Sequence, residues 1–226
     1  MKKLEKFLNS INKQDCYEKF IMYYNELVLY NEKVNLTAIT DKDEFETKHF
    51  LDSLQGYSLI NDKVLDIGAG AGFPSLPLAI INENINFTLI ESVGKKTDFL
   101  KFIADKLELK NAVIIKSRVE DLNKQTKYDF VVARAVSGLN TLLEYSLPFL
   151  KIGGKLIAYK GQNYNDEIIA AKNALNILGG QVEKIVDYEL EINDEIQNRY
   201  LIVVKKIKET AVKFPRGQNK PRLNPL

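Results

Sequence analysis

The sequence predicts an α/β protein: an open, seven-stranded, mostly parallel sheet with an antiparallel hairpin at one edge, behind a helical N-terminal cap. Three observations carry this. From residue 64 onward, short apolar runs alternate with amphipathic stretches of helical length, the pattern of a parallel sheet with crossover helices. The first five runs are apolar throughout, as strands buried on both faces require. The last two strand-like runs have no helical pattern between them and so pair as an antiparallel hairpin.

Composition agrees. The 226 residues are 45% hydrophobic and 27% charged, with 12 Gly and 6 Pro, which excludes collagenous, low-complexity and disordered classes. No apolar run reaches the ~18–20 residues that span a bilayer. Residues 1–6 lead into an amphipathic stretch and not a signal core. A lone cysteine, Cys16, forms no internal disulfide, and a lone histidine, His49, supplies no histidine-rich metal site. A cytoplasmic protein without metal or membrane contact is expected. Nothing advertises a partner surface, so a monomer is expected too.

Residues 1–60 carry the helical signals. Over 14–31, Tyr17, Phe20, Ile21, Tyr24, Leu27 and Val28 recur at helical spacing on one face. Asp15 with Glu18, and Asp41 with Glu44, have capping-box spacing; the second pair opens a helix predicted to run to residue 60. Strands are then predicted at 64–67, 87–90, 112–115, 130–133 and 155–159. Helices are predicted at 74–81, 95–107, 139–150 and 165–178, and the closing strands at 182–190 and 200–207. The chain divides into a helical cap (1–60), a sheet domain (61–208) and a basic, extended tail (209–226).

The sharpest motif is Asp66-Ile67-Gly68-Ala69-Gly70-Ala71-Gly72-Phe73-Pro74, which leaves the first strand and opens a helix. Glycines admit positive φ and close approach of backbone to a ligand. In open α/β sheets the ligand lies at the carboxyl ends of such strands. Dinucleotide folds prefer G-x-G-x-x-G. Here the run is G-x-G-x-G followed by bulky Phe73, with Asp66 two residues ahead, and it resembles the loop of Rossmann-like (class I) S-adenosylmethionine-dependent methyltransferases. Glu91, ending the second strand, suits both ribose hydroxyls of a nucleoside and does not choose between the two cofactors. Past the third strand, the Val119 side chain and the Glu120 amide stand where methyltransferase folds flank the adenine. The fourth strand ends in Ala133-Arg134-Ala135, where the acceptor meets the methyl group.

With these pieces together, the chain resembles the bacterial small-subunit (16S) ribosomal RNA guanine-N7 methyltransferases, the RsmG or glucose-inhibited division protein B family. The matching segments are 35–37, 49–53, 66–77, 117–120, 133–135, 156–161 and the tail from Phe214 to Leu226. The resemblance implies S-adenosylmethionine as cofactor, held by Gly68, Phe73, Val119, Glu120 and Arg134. The residues themselves add Asp66, Gly70, Gly72 and Glu91. The resemblance also implies one guanine of small-subunit ribosomal RNA as the acceptor. Gln218-Asn219 departs mildly from the family's tail.

The residues permit this chemistry. Methyl transfer is an in-line displacement in which the cofactor supplies reactivity and the protein placement. Cytosine-C5 chemistry needs a thiol, and Cys16 lies far upstream as an apolar filler. Adenine-N6 enzymes carry an Asn/Asp-Pro-Pro-aromatic stretch, which is absent after the fourth strand. Guanine N7 needs neither thiol nor base, and no covalent enzyme intermediate. The positioning candidates are Arg134 (cofactor or guanine O6), Lys160 (phosphate contact or surface charge), His49 (proton carrier or packing residue) and Asp52 (substrate contact or turn cap). An NAD-dependent oxidoreductase, opposed by the glycine spacing and Phe73, a non-catalytic RNA-binding or ribosome-assembly protein, and a small-molecule methyltransferase are the competing readings.

Net charge is only +2, but residues 205–226 carry seven basic residues and one acid. A basic tail on a mildly acidic body suits a polyanion. Three prolines argue against helix there, so an arm that orders on its target is expected. Lys213, Arg216, Lys220 and Arg222, with Lys95 and Lys96, are the expected phosphate contacts. Removing 213–226 should then weaken RNA binding and spare cofactor binding.

Overall fold

Helix α1 (Lys2–Ser10) buries Leu4 and Leu8, and α2 (Tyr17–Asn31) buries Phe20, Tyr23 and Leu27, one stripe each against the core. Tyr23, outside the expected set, is fully buried, while Tyr24 is half-exposed with its hydroxyl on the Thr40 carbonyl. The structure, a computed structural model, describes all 226 residues. Asp15 does not cap α2: it sits in a 3₁₀ turn over Gln14–Cys16, and the helix starts without a side-chain cap. Asp41 does cap, its Oδ1 accepting from the amides of Asp43 and Glu44.

The helix that Asp41 opens is not continuous. α3 (Lys42–Phe45) widens into a π-helix over Glu46–Leu51, returns to α in α4 (Asp52–Leu54) and ends in a 3₁₀ turn at Tyr57–Leu59. Buried Glu46 in the π segment accepts the Leu4 amide at 2.7 Å, satisfying an orphan donor of α1. Wide turns of this kind commonly redirect side chains toward functional sites; this one carries His49 and leads into Asp52.

The sheet begins with β1 (Val64–Ile67), followed by α5 (Ser75–Ile81), β2 (Phe87–Glu91), α6 (Gly94–Lys106), β3 (Ala112–Lys116) and β4 (Tyr128–Arg134). Then come α7 (Leu139–Ser146), β5 (Leu150–Lys160), α8 (Tyr164–Ala170), α9 (Lys172–Leu178), β6 (Gly180–Ile192) and β7 (Glu195–Lys206). The strand order is β3-β2-β1-β4-β5-β7-β6. β1 to β5 pair in parallel, and β7 pairs antiparallel with both β5 and β6. The hairpin turns at Asn193-Asp194, both at positive φ, which matches the twist of the flanking strands. The order reverses between β1 and β4, and that switch point opens a crevice at their carboxyl ends.

Three details differ from the sequence expectation. β3 is an edge strand whose outer face has no covering helix, so Val113 is 58% and Ile115 37% exposed and double burial fails there. The helix predicted to reach residue 150 stops at Ser146, because Pro148 lacks the amide a further turn needs. The helix predicted over 165–178 is two, broken at buried Ala171.

The tail departs most. Lys206 still belongs to β7 and is fully buried, its Nζ donating to the Leu150 carbonyl. Residues 209–226 are docked and not extended: Phe214, Pro215 and Pro221 are buried. Pro221 sits in the first turn of a short helix, α10 (Lys220–Leu223), where its missing amide costs nothing. No helix is long and apolar enough to cross a membrane.

Candidate active site

Beyond β1 the chain turns through Gly68, Gly70 and Gly72 at φ of 71°, 59° and 102°. The Gly70 amide donates to Glu91 Oε2 at 3.0 Å and the Val93 amide to Oε1 at 2.8 Å. Glu91 therefore splints the loop to the end of β2, and each carboxylate oxygen keeps acceptor capacity for a ligand. Gly72 faces the core and not the crevice: a Cβ there would collide with the Tyr23 hydroxyl and lie 2.6 Å from Leu76 Cδ1. Phe73 also turns inward, stacked on His49 (centroids 4.5 Å, 7°) and on Tyr23 (5.4 Å, 14°). Both residues seat the loop on the helical cap by their side-chain faces, so what they can offer a ligand is backbone.

Asp66 is buried at the end of β1, and neither carboxylate oxygen has a hydrogen-bond partner; nor does the Ser75 hydroxyl beside it. Burial raises the Asp66 carboxyl to about 7, against the opposing pull of Ser75 and Arg134.

Two cavities flank the crevice. One of ≈ 220 Å³ lies beyond β1, β2 and β3 and is lined by Gly68, Ile90, Ser117, Val119, Glu120 and Tyr145, among others. The other, of ≈ 640 Å³, is lined by Asp52, Arg134, Tyr159, Lys160, Tyr188 and Arg199, among others. Val136 lines both.

Arg134, at the end of β4, is held on three sides. Its Nη1 donates to Asp52 Oδ2 at 2.7 Å and to the Lys48 carbonyl at 2.8 Å, its Nη2 to His49 Nδ1 at 3.2 Å, and the guanidinium lies 5.0 Å from the Phe73 ring centre. A guanidinium only donates, so His49 Nδ1 accepts and Nε2 carries the proton toward Thr37 Oγ1 at 2.9 Å. Burial, then Arg134 and Lys48, lower the His49 pKa to about 3. His49 is thus a neutral spacer and not a proton carrier. Asp52 also accepts from the Tyr188 hydroxyl at 2.6 Å, and Tyr159 donates to the Ser53 carbonyl at 2.7 Å. Burial pushes both tyrosine hydroxyls up, so they stay protonated. Arg134 retains its Nε–H and one Nη2–H without protein partners, two donors for an acceptor in the crevice.

Lys160 is neither a surface charge nor a free phosphate contact. Its side chain is 9% exposed, and Nζ donates to Glu167 Oε2 at 2.6 Å and to the Ser137 carbonyl at 2.7 Å. Glu167 Oε2 also accepts the Leu139 amide at 2.8 Å, so the pair braces the start of α7 beside the larger cavity.

A model of the rRNA small subunit methyltransferase G (GidB) family matches residues 16–197. The chain belongs to that family. A ribosomal RNA small subunit methyltransferase G from Streptococcus pneumoniae serotype 19F (strain G54) is 46% identical over 219 residues, 92% of this chain and 91% of that one. Its counterpart from Clostridium botulinum (strain Eklund 17B / Type B) is 44% identical over 221 residues, 94% and 92% of the two chains. In fold, the chain is similar to TYW2 from P. horikoshii in complex with MeSAdo (TM-score 0.59, 16% identity, 73% of this chain and 66% of that). It is likewise similar to precorrin-6y C5,15-methyltransferase from Geobacter metallireducens (0.53, 17%, 77% and 96%). These likenesses show the Rossmann-like methyltransferase fold.

Within this member of the rRNA small subunit methyltransferase G family, the expected RNA contacts differ in exposure and in the partners they already hold. Lys95 is exposed and Lys96 half-exposed in the first turn of α6, and Lys213 and Lys220 are exposed. Arg216 instead lies on buried Glu144 of α7, with Nη2 to Oε2 at 2.7 Å and Nε to both oxygens at 2.9 and 3.1 Å. Arg222 reaches back to the Val136 carbonyl at 3.4 Å. Tyr188, Glu167, Arg199 and Glu144 were not singled out from the sequence. Glu144 alone left a signal there, a single acid inside the apolar run Leu142-Leu143-Glu144-Tyr145.

Proposed function

We propose that this chain methylates N7 of one guanine in small-subunit (16S) ribosomal RNA, with S-adenosylmethionine as methyl donor. The observation that carries the reading is the pair of cavities meeting at Val136, one of a kind to hold a nucleoside and one open beside it. The residues fit the cofactor. Gly68, Val119 and Glu120 line the smaller cavity, Glu91 keeps acceptor capacity next to the loop, and Asp66 is an unpartnered buried acceptor that suits a cationic ligand. When bound, S-adenosylmethionine supplies an electrophilic methyl group on its sulfonium.

The chain's own residues then place the acceptor. Arg134 lines the larger cavity with two free donors, fixed there by Asp52 and His49. No side chain of the larger cavity is poised as a base: His49 is spent on Arg134, Asp52 on Arg134 and Tyr188, and Lys160 on Glu167. That suits N7, whose lone pair needs no deprotonation. The exposed lysines Lys95, Lys96, Lys213 and Lys220 favour salt-sensitive contact with ribosomal RNA in the cytoplasm.

The test is methyl transfer from labelled S-adenosylmethionine to small ribosomal subunits from cells lacking this gene, with wild-type subunits as control. Label in N7-methylguanine at one site, on the mutant subunits alone, is expected. Absence of label on both, with cofactor binding intact, would overturn the assigned acceptor.

A further inference from the structure

Glu144 lies in α7 with no exposed surface, and every side-chain hydrogen bond it accepts comes from Arg216: the backbone amide at 2.8 Å, Nε on both oxygens and Nη2 at 2.7 Å. A buried carboxylate is costly unless it is paired in good geometry. The body of the fold thus carries an acid whose partner arrives only with the tail. Further fastenings surround it. Phe214 is buried in the core beneath α7, Thr141 Oγ1 donates to the Pro221 carbonyl at 2.9 Å, and Arg216 Nη2 also holds the Asn224 carbonyl at 2.9 Å.

This seat puts two tail residues where no RNA contact is required of them. Asn219, at φ 57°, and Arg222 line the smaller cavity, opposite Gly68 and beside Val119 and Tyr145. We infer that Asn219 and Arg222, carried on the docked tail, form a wall of the cofactor pocket and contact the cofactor's nucleoside end, with the Arg216–Glu144 pair holding them in place. The inference rests on the S-adenosylmethionine reading above. A purine suits such a wall. Its face accepts a stacked guanidinium, and its ring nitrogens accept from amide and guanidinium N–H groups. The tail expected to serve RNA alone is therefore part of the small-molecule site, and its loss would not spare cofactor binding.

The test is calorimetric titration of the full chain, without RNA, with S-adenosylmethionine and with S-adenosylhomocysteine. The double variant Asn219→Ala/Arg222→Ala should weaken both by about tenfold, the scale of one good contact. Leu223→Ala, on the same short helix but 78% exposed and outside the cavity, should bind within twofold of the unaltered chain. Hydrogen exchange of tail amides should slow when either ligand is added, a change that a merely structural tail would not show. Unaltered affinity in the double variant, or equal weakening by Leu223→Ala, would overturn the assignment of the tail. Failure of the unaltered chain to bind either ligand would overturn instead the cofactor reading on which it rests.

Discussion

The two ends of the chain close over the same crevice by different physics. The N-terminal cap does it with oil: Phe20, Tyr23, Phe45 and Phe50 are fully buried, interleaved at ring-centre distances near 5 Å, for example 5.0 Å between Phe20 and Phe50. The C-terminal tail buries one aromatic, Phe214, and two prolines, Pro215 and Pro221, and adds an ion pair and a few hydrogen bonds. Each large apolar side chain buried contributes roughly 1.5–3 kcal/mol, without regard to direction or ionic conditions. An ion pair contributes little net stability but penalises loss of either partner and demands one geometry. The cap is therefore continuous with the core, whereas the tail is latched to it.

The sharpest way to break this contrast is in the cap. Phe50→Ala should cost about 3–5 kcal/mol in urea unfolding; a loss under about 1 kcal/mol would mean that the cap is no more integral than the tail. At the latch, Arg216→Ala leaves Glu144 buried and unpaired and should cost about 2–3 kcal/mol, less than full burial of the pair would imply because Arg216 is partly exposed. Hydrogen exchange should then show the tail opening while α2 stays protected; joint opening would erase the distinction.

Protons give a smaller and two-signed effect. The folded protein refuses a proton on His49 until about pH 3, whereas the unfolded chain takes it near 6.5, so this group removes stability as pH falls through that window. Asp66 does the reverse: folded, it keeps its proton up to about 7, while the unfolded chain loses it near 3.8, so its contribution falls as pH rises. Between pH 7 and 5, His49→Gln should lose less stability on acidification than the unaltered chain, and Asp66→Asn more. Urea midpoints at the two pH values decide it, and departures from the unaltered chain in the same direction in both variants would refute the assignment. The smallest effect expected is on RNA. Lys95→Ala should lower the slope of log affinity against log salt by about 1, as loss of one phosphate contact does, whereas Arg216→Ala should leave it unchanged.

What was legible in the sequence was local. The strand at 64–67 and the glycine turn after it are written in adjacent residues, and β1 follows them to the residue. Asp41 caps its helix because a cap needs only the next three residues. What escaped is set by distant partners. The inward packing of Gly72 and Phe73 depends on Tyr23, whose hydroxyl meets a carbonyl 48 residues later in the chain and fills the space behind them. Lys160 looks like a surface cation until α8 folds back to bring Glu167 against it. Arg216 looks like an RNA contact because Glu144, its partner, stands 72 residues earlier in an apolar helix. Charge counts along a chain cannot tell a free cation from one that is already neutralised.

The Glu144–Arg216 latch has a consequence for manufacture. In synthesis Glu144 emerges before Arg216, the residue that neutralises it and that stands 72 residues further along the chain. A product cut short before residue 216 carries the whole sheet and the whole cap, yet leaves a stranded negative charge beneath α7. Such a fragment opens more readily on that face and presents itself to proteases there. The latch therefore works as an inspection stamp: only a chain translated past Arg216 is sealed on that face.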